Sequence, residues 1–261
     1  MLSPPPPPEA INVRSPHTNY DEKMRIKICV PVTETGWVSF IKRQAEEVKD
    51  PGTEVDVVNV QKGPESLESS YDDAWAAVFQ MSLLEKAEEE GYDAAITYCF
   101  CDPALRAAKE KLTIPVVGIH EPAIHLACML GSRFSIVGVG GRLLGRYLED
   151  IVRGYSMEHR LASVRTVEKT VVELEKDKSS KELERLLVAE AREAVETDGA
   201  DVIVLGCGGL AEFPERLQSE IGVPVIDGGK FALKLAEDLV KLKLSQSKKA
   251  FPKPYAKKRT L

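Results

Sequence analysis

Two cysteines stand out for the chemistry their settings allow. Cys99 closes the run Gly91-Tyr92-Asp93-Ala94-Ala95-Ile96-Thr97-Tyr98-Cys99, and Cys207 closes Gly199-Ala200-Asp201-Val202-Ile203-Val204-Leu205-Gly206-Cys207, 108 residues later. Each run reads as a strand ending at its cysteine, followed by a turn and a helix pattern. A thiol ionises near neutrality, at about 8.5 when unperturbed, so it can act as base or as acid. Two thiols facing one carbon from opposite sides suit a reaction in which one removes a proton and the other returns one to the opposite face. Racemisation next to a carbonyl is such a reaction. Helix N-termini and loop amides favour thiolate over thiol and can hold a developing enolate oxygen. Gly208 and Gly209 leave amides unshielded beside Cys207, with Phe100, Cys101 and Asp102 in the matching places after Cys99.

The elements that must position these groups repeat along the chain. Arg25-Ile26-Lys27-Ile28-Cys29-Val30 and Arg133-Phe134-Ser135-Ile136-Val137-Gly138 share the 108-residue offset, and Ile114-Pro115-Val116-Val117 returns as Val223-Pro224-Val225-Ile226 at an offset of 109. Three segments in register imply two similar halves. Short β-branched runs are expected as strands at Ile26–Val32, Glu54–Val60, Ala94–Cys99, Val116–Gly118, Phe134–Val139, Ser163–Val167, Val202–Leu205 and Val225–Ile226. Amphipathic stretches such as Ala74–Glu90, Pro103–Lys111, Leu143–Gly154, Ser180–Thr197 and Lys230–Leu242 separate them. The alternation predicts an α/β fold of two Rossmann-like lobes with parallel sheets, related by a pseudo-twofold axis, with the site between them at the strands' carboxyl ends. The expected organisation is a disordered proline-rich extension over 1–23, a first lobe over 24–130 whose last helix returns, a second lobe over 131–244, and a solvated basic tail over 245–261.

Composition narrows the function classes. The chain has 261 residues and a net charge of −6, which argues against a nucleic-acid partner. No apolar run approaches the ~20 residues of a membrane helix. Pro4 to Pro8 occupy the place where a signal peptide needs its apolar stretch, so a cytoplasmic protein is expected. Five scattered cysteines then read as thiols. Cys29 and Cys128 lie in apolar runs and read as core. Cys99-x-Cys101 with His120 or His125 lacks the second cysteine pair of a structural zinc site, so no metal is expected. His125 reads as a helix residue and Glu121 as a helix start. Gly138-x-Gly140-Gly141 fails as a dinucleotide fingerprint, because Leu143 stands where the third glycine belongs.

The motifs together resemble the aspartate/glutamate/hydantoin racemase superfamily, most closely its hydantoin and allantoin racemase branch. The resemblance covers nearly the whole body. It is carried by Gly63-Pro64-Glu65-Ser66-Leu67-Glu68-Ser69 with Tyr71-Asp72, Cys99-Phe100-Cys101-Asp102-Pro103, Val116-Val117-Gly118-Ile119-His120-Glu121, Ala123-Ile124-His125-Leu126-Ala127 and Leu205-Gly206-Cys207-Gly208-Gly209. It implies a catalytic pair at Cys99 and Cys207, no cofactor, and a small-molecule substrate of the 5-substituted hydantoin or allantoin type. Departures fall where such a substrate's polar groups are read. Val30-Pro31-Val32-Thr33 replaces an Asn-Pro-Asn-Thr-like turn, Cys101 replaces a small residue that is often glycine, and Gly138-Val139-Gly140-Gly141 replaces threonines. Pro31, Val32, Thr33, Phe100, Cys101, Asp102, Gly138, Val139, Gly208 and Gly209 are therefore the candidate substrate-binding positions. Three alternatives stay open: chemistry of the maleate isomerase or arylmalonate decarboxylase type, amino-acid racemisation, and a non-catalytic binding or redox-sensing protein. A homo-oligomer is expected, as for many small α/β enzymes.

Overall fold

The computed structural model describes residues 23–176 and 180–259. The proline run lies outside them. Four strands, β1 (Arg25–Val30), β2 (Glu54–Asn59), β3 (Ala94–Thr97) and β4 (Val116–Val117), form one parallel sheet in the order β2-β1-β3-β4. Four more, β5 (Phe134–Gly138), β6 (Leu161–Thr166), β7 (Val202–Leu205) and β8 (Val225–Ile226), form a second parallel sheet in the order β6-β5-β7-β8. The helices are α1 (Gly36–Val48), α2 (Ser70–Glu89), α3 (Leu105–Lys111), α4 (Glu121–Leu130), α5 (Gly141–Gly154), α6 (Val171–Lys176), α7 (Lys181–Glu196), α8 (Pro214–Ile221) and α9 (Gly228–Lys241). Central strands buried on both faces account for the runs of Ile, Val and Ala: Ile26, Ile28, Ile96, Phe134, Ile136 and Val204 are almost fully buried.

The sequence repeat is also a structural one. Gly91 and Gly199 both adopt a left-handed backbone, with φ of +76° and +75°. Two residues on, Asp93 Oδ2 accepts from the Arg25 amide at 2.8 Å and Asp201 Oδ2 accepts from the Arg133 amide at 3.0 Å. The Gly-x-Asp motif thus turns the chain into the third strand of each sheet and ties it to the first. The lobes also exchange helices: α4 packs on β7 and β5, and α9 packs on β3, β4 and α1. The two helix starts meet closely. A Cβ on Gly228 would stand 2.2 Å from the Ile119 carbonyl oxygen, so only glycine fits there.

Two expectations change. The strands at Ile26–Val32 and Ala94–Cys99 stop two residues early, at Val30 and Thr97, because the chain leaves each sheet to build the cleft described below. Residues 245–251, expected within a solvated tail, lie against the first lobe. The Gln246 side chain accepts from the Val116 amide at 3.2 Å and donates to the Leu112 and Ile114 carbonyls at 2.9 and 2.8 Å, covering the edge of β4. Lys248 Nζ donates to the Lys109 and Glu110 carbonyls at 2.6 and 3.1 Å. Among the described residues, no helix is long and apolar enough to cross a membrane.

Candidate active site

In each sheet the chain order reverses between the first and third strands, where ligands of open α/β sheets bind. Cys99 and Cys207 stand two residues beyond the ends of β3 and β7, at these two points. One more ladder bond carries each strand toward its cysteine. The Tyr98 amide donates to the Cys29 carbonyl at 2.9 Å, and the Gly206 amide donates to the Val137 carbonyl at 2.8 Å. Both thiols line a cleft of about 540 Å³ between the lobes, open to solvent. Both cysteines are half-buried. The first lobe adds Pro31, Val32, Leu67, Phe100 and Cys101 to the walls, and the second adds Leu144, Val171, Gly208 and Gly209. The walls are mostly apolar, so thiols and loop amides are the main polar groups that a ligand meets.

The Cys99 loop is a tight turn anchored from below. The Asp102 amide donates to the Cys99 carbonyl at 2.9 Å, and Asp102 itself is left-handed, with φ of +49°. Its buried carboxylate caps α4. Oδ1 accepts from the Ile119 and His120 amides at 2.8 and 3.0 Å, and Oδ2 accepts from the Glu121 amide at 2.8 Å. Tyr155, from the second lobe, donates to Oδ2 at 3.0 Å. Burial raises the Asp102 pKa to about 6, against the pull of these donors. Gly118 makes room for the carboxylate, since a Cβ there would lie 2.3 Å from Asp102 Oδ1. His120 locks the loop from the other side. Its ring stacks on Phe100 at 4.2 Å, and its Nδ1 lies 2.8 Å from the Phe100 carbonyl oxygen. Full burial lowers the His120 pKa to about 4, so the ring is neutral with its proton on Nδ1, and Nε2 has no partner among the described residues.

The Cys207 loop enters a single 3-10 turn, Gly208–Leu210. Cys207 Sγ accepts from the Gly209 amide at 3.4 Å. Both glycines are required by the opposite lobe. A Cβ on Gly208 would meet the Tyr98 ring at 2.6 Å, and one on Gly209 would meet the Trp37 ring at 2.6 Å. Burial pushes the Cys207 thiol up to about 12. The Gly209 amide opposes this, while nearby Cys99 and Glu68 add to it. Burial thus favours the neutral thiol at Cys207.

The Asp/Glu/Hydantoin racemase family model matches residues 32–236. The chain belongs to this family. It is an isomerase of the racemase type. A hydantoin racemase of Pseudomonas sp. (strain NS671) is 40% identical over 225 residues, covering 86% of this chain and 89% of that protein. The solved allantoin racemase of Klebsiella pneumoniae superposes with a TM-score of 0.84 at 34% identity, covering 91% of this chain and 96% of that one. The allantoin racemase of Pseudomonas fluorescens gives the same TM-score and identity, with 91% of this chain and 100% of that one covered.

Of the candidate residues of this racemase, Cys99, Cys207, Pro31, Val32, Phe100, Cys101, Gly208 and Gly209 meet in the cleft. Thr33, Asp102, Gly138 and Val139 do not line it. Thr33 is held by the Pro64 carbonyl, to which its amide donates at 3.0 Å. The Asp102 carboxylate is spent on α4. Gly138 and Val139 are buried, and a Cβ on Gly138 would stand 3.3 Å from the Gly206 backbone, so this glycine serves strand packing rather than a ligand. Cleft residues that the sequence reading missed include Trp37, Leu144 and Val171. Only their place beside the other lobe marks them, and nothing local in sequence signals that. Leu67 lies inside the Gly63–Ser69 motif, which could have pointed to it. Cys29 is core, as expected, with burial pushing its thiol to about 12. His125 is exposed, its Nδ1 at 2.6 Å from the Glu121 carbonyl, and Glu121 pairs with Lys109.

Proposed function

We propose that this racemase interconverts the enantiomers of a 5-substituted hydantoin or allantoin-like compound by two-base proton transfer between Cys99 and Cys207, without cofactor or metal. The observation that carries the reading is the pair of thiols on one cleft, each supplied by the equivalent strand of its own lobe. For one enantiomer, a Cys99 thiolate takes the proton from the ring carbon and becomes a thiol. The electron pair of that bond passes into the adjacent carbonyl as an enolate, held by loop amides beside the cysteines. The Cys207 thiol gives its proton to the opposite face and becomes a thiolate. The mirror substrate meets the second form of the enzyme and reverses both roles. Val32, Leu67, Leu144 and Val171 suit an apolar ring substituent. The hydantoin and allantoin racemases among the relatives support this substrate class.

The test is the circular dichroism of an enantiopure 5-substituted hydantoin incubated with the enzyme under reducing conditions at neutral pH. The signal decays to zero with the wild type and holds with Cys99→Ser or Cys207→Ser. A flat wild-type signal, with turnover of maleate or an arylmalonate instead, overturns the substrate assignment. Full activity in either single variant overturns the two-base mechanism.

A further inference from the structure

The side walls of the cleft have a composition that the thiol pair does not explain. Val32, Trp37, Ile41 and Leu67 come from the first lobe, and Leu144 and Val171 from the second. Among the described residues that line it, no side chain is a carboxylate, an amide, an ammonium, a guanidinium, an imidazole or an aliphatic hydroxyl. The polar side chains are three thiols and Tyr98. The Tyr98 hydroxyl points toward α9, where it fills the space that a Cβ on Gly229 would take, and Gly229 lies outside the cleft. Wall amides are taken up as well. The Val171 amide donates to Glu68 Oε1 at 3.1 Å, and the Gly209 amide donates to Cys207 Sγ at 3.4 Å. Glu68 is held behind Val171 by this bond and by the Ser66 hydroxyl, which donates to the same oxygen at 2.9 Å. A carboxylate therefore stands beside a wall that carries no cation.

We infer that this cleft selects hydantoins whose 5-substituent is uncharged and apolar, and that Val32, Leu67, Leu144 and Val171 set the choice. This rests on the hydantoin reading above and narrows it. The hydantoin ring carries its own amide and carbonyl groups, which the loop backbone beside the cysteines can meet. The substituent lies against the walls. An isobutyl group and the ureido group of allantoin share one branched shape and the same heavy-atom count, so size does not separate them. The ureido group brings a carbonyl and several N–H groups, which lose their water against these walls and gain no side-chain partner. A carboxymethyl group has the same branched shape and adds a negative charge on the side of Glu68, with no cation to meet it. Selection thus comes from polarity left unpaired rather than from fit.

The test is a set of titrations that needs no turnover. Trp37 lies on the cleft wall and reports binding by its fluorescence, and Trp75→Phe silences the second of the chain's two tryptophans, which is exposed on α2. 5-Isobutylhydantoin binds about tenfold to a hundredfold more tightly than allantoin, and hydantoin-5-acetic acid binds more weakly than 5-isobutylhydantoin by at least about tenfold. The values of kcat/KM for racemisation fall in the same order. Val171→Asn places an amide on a half-buried wall position and narrows the gap between 5-isobutylhydantoin and allantoin by about threefold or more, whereas Val171→Leu keeps it. Equal wild-type affinities, or a preference for allantoin or the acid, overturn the inference, and so does a gap that Val171→Asn leaves unchanged. Selective binding of 5-isobutylhydantoin with no racemisation of any hydantoin leaves the selectivity standing and removes the reaction proposed above. Racemisation of allantoin and 5-isobutylhydantoin at equal kcat/KM does the opposite, and binding of neither ligand overturns both.

Discussion

Cys99 and Cys207 occupy equivalent places, 108 residues apart and two residues past equivalent strands, yet their loops are wired differently. Val116-Val117-Gly118 and Val225-Ile226-Asp227 are the matching strand ends, 109 residues apart. In the second lobe Asp227 caps its own helix: Oδ1 accepts from the Gly229 and Lys230 amides of α9 at 2.8 and 3.4 Å. In the first lobe that position is Gly118, and the missing carboxylate is replaced by Asp102 from the Cys99 loop. The equivalent amides of α4 thus hold the cysteine loop in place. The second loop instead relies on glycine, where Tyr98 and Trp37 of the first lobe press against Gly208 and Gly209. A duplicated scaffold need not duplicate its fastenings. One loop is pinned by a buried carboxylate and the other by aromatic rings from across the cleft.

The comparison can be broken most directly at the thiols. If both sites take part in every turnover, Cys99→Ser and Cys207→Ser each lower kcat/KM by roughly 10²–10⁴-fold for both enantiomers, the usual contribution of a general acid or base. A variant that loses activity toward one enantiomer alone would show that the two loops do not act as a pair.

The next largest effect separates the two caps. Asp102→Ala leaves buried amides and the Tyr155 hydroxyl without their acceptor, and costs about 2–3 kcal/mol in urea unfolding, with a lower kcat because the Cys99 loop is released. Asp227→Ala removes an ordinary N-cap, costs about 1 kcal/mol, and leaves the Cys99 loop in place. Equal losses of kcat in the two variants would erase the distinction.

His120 sharpens it further through pH. The second lobe has Gly229 at the matching position. In the fold, burial lowers the His120 pKa to about 4, below the 6.5 of a free imidazole. Its neutral form is therefore favoured by folding. The stability it supports is complete above about pH 6.5 and is lost as pH falls toward about 4, by roughly 3 kcal/mol over that span. His120→Phe keeps the stack on Phe100 and flattens this acid slope. An unchanged slope in the variant would place the acid sensitivity elsewhere.

Much of this was legible in the sequence, and the repeat is the reason. The 108-residue offset predicted two parallel α/β lobes and put Cys99 and Cys207 at equivalent strand ends, because a strand–turn–helix unit carries its own local signals. Cleft walls such as Trp37 and Val171 left no trace, since they belong to the site only through packing between lobes. Asp102 and Gly138 were misplaced for a related reason. A residue beside a catalytic position can face a helix end or a neighbouring strand, and only the fold decides which. The lysine-rich end reads as solvated from composition alone, yet Gln246 and Lys248 satisfy exposed carbonyls of α3 and its following loop.

The central claim is that one cysteine removes a proton and the other supplies a different one. Racemisation of a single enantiomer in D₂O, stopped at low conversion at neutral pH, tests it most directly, with deuterium at the ring carbon counted separately in product and recovered substrate. A two-thiol mechanism places deuterium in nearly every product molecule and almost none in the recovered substrate, because each thiol carries one proton and returns it to its own face. Deuterium equal in both enantiomers, or product that keeps its original proton, would contradict it.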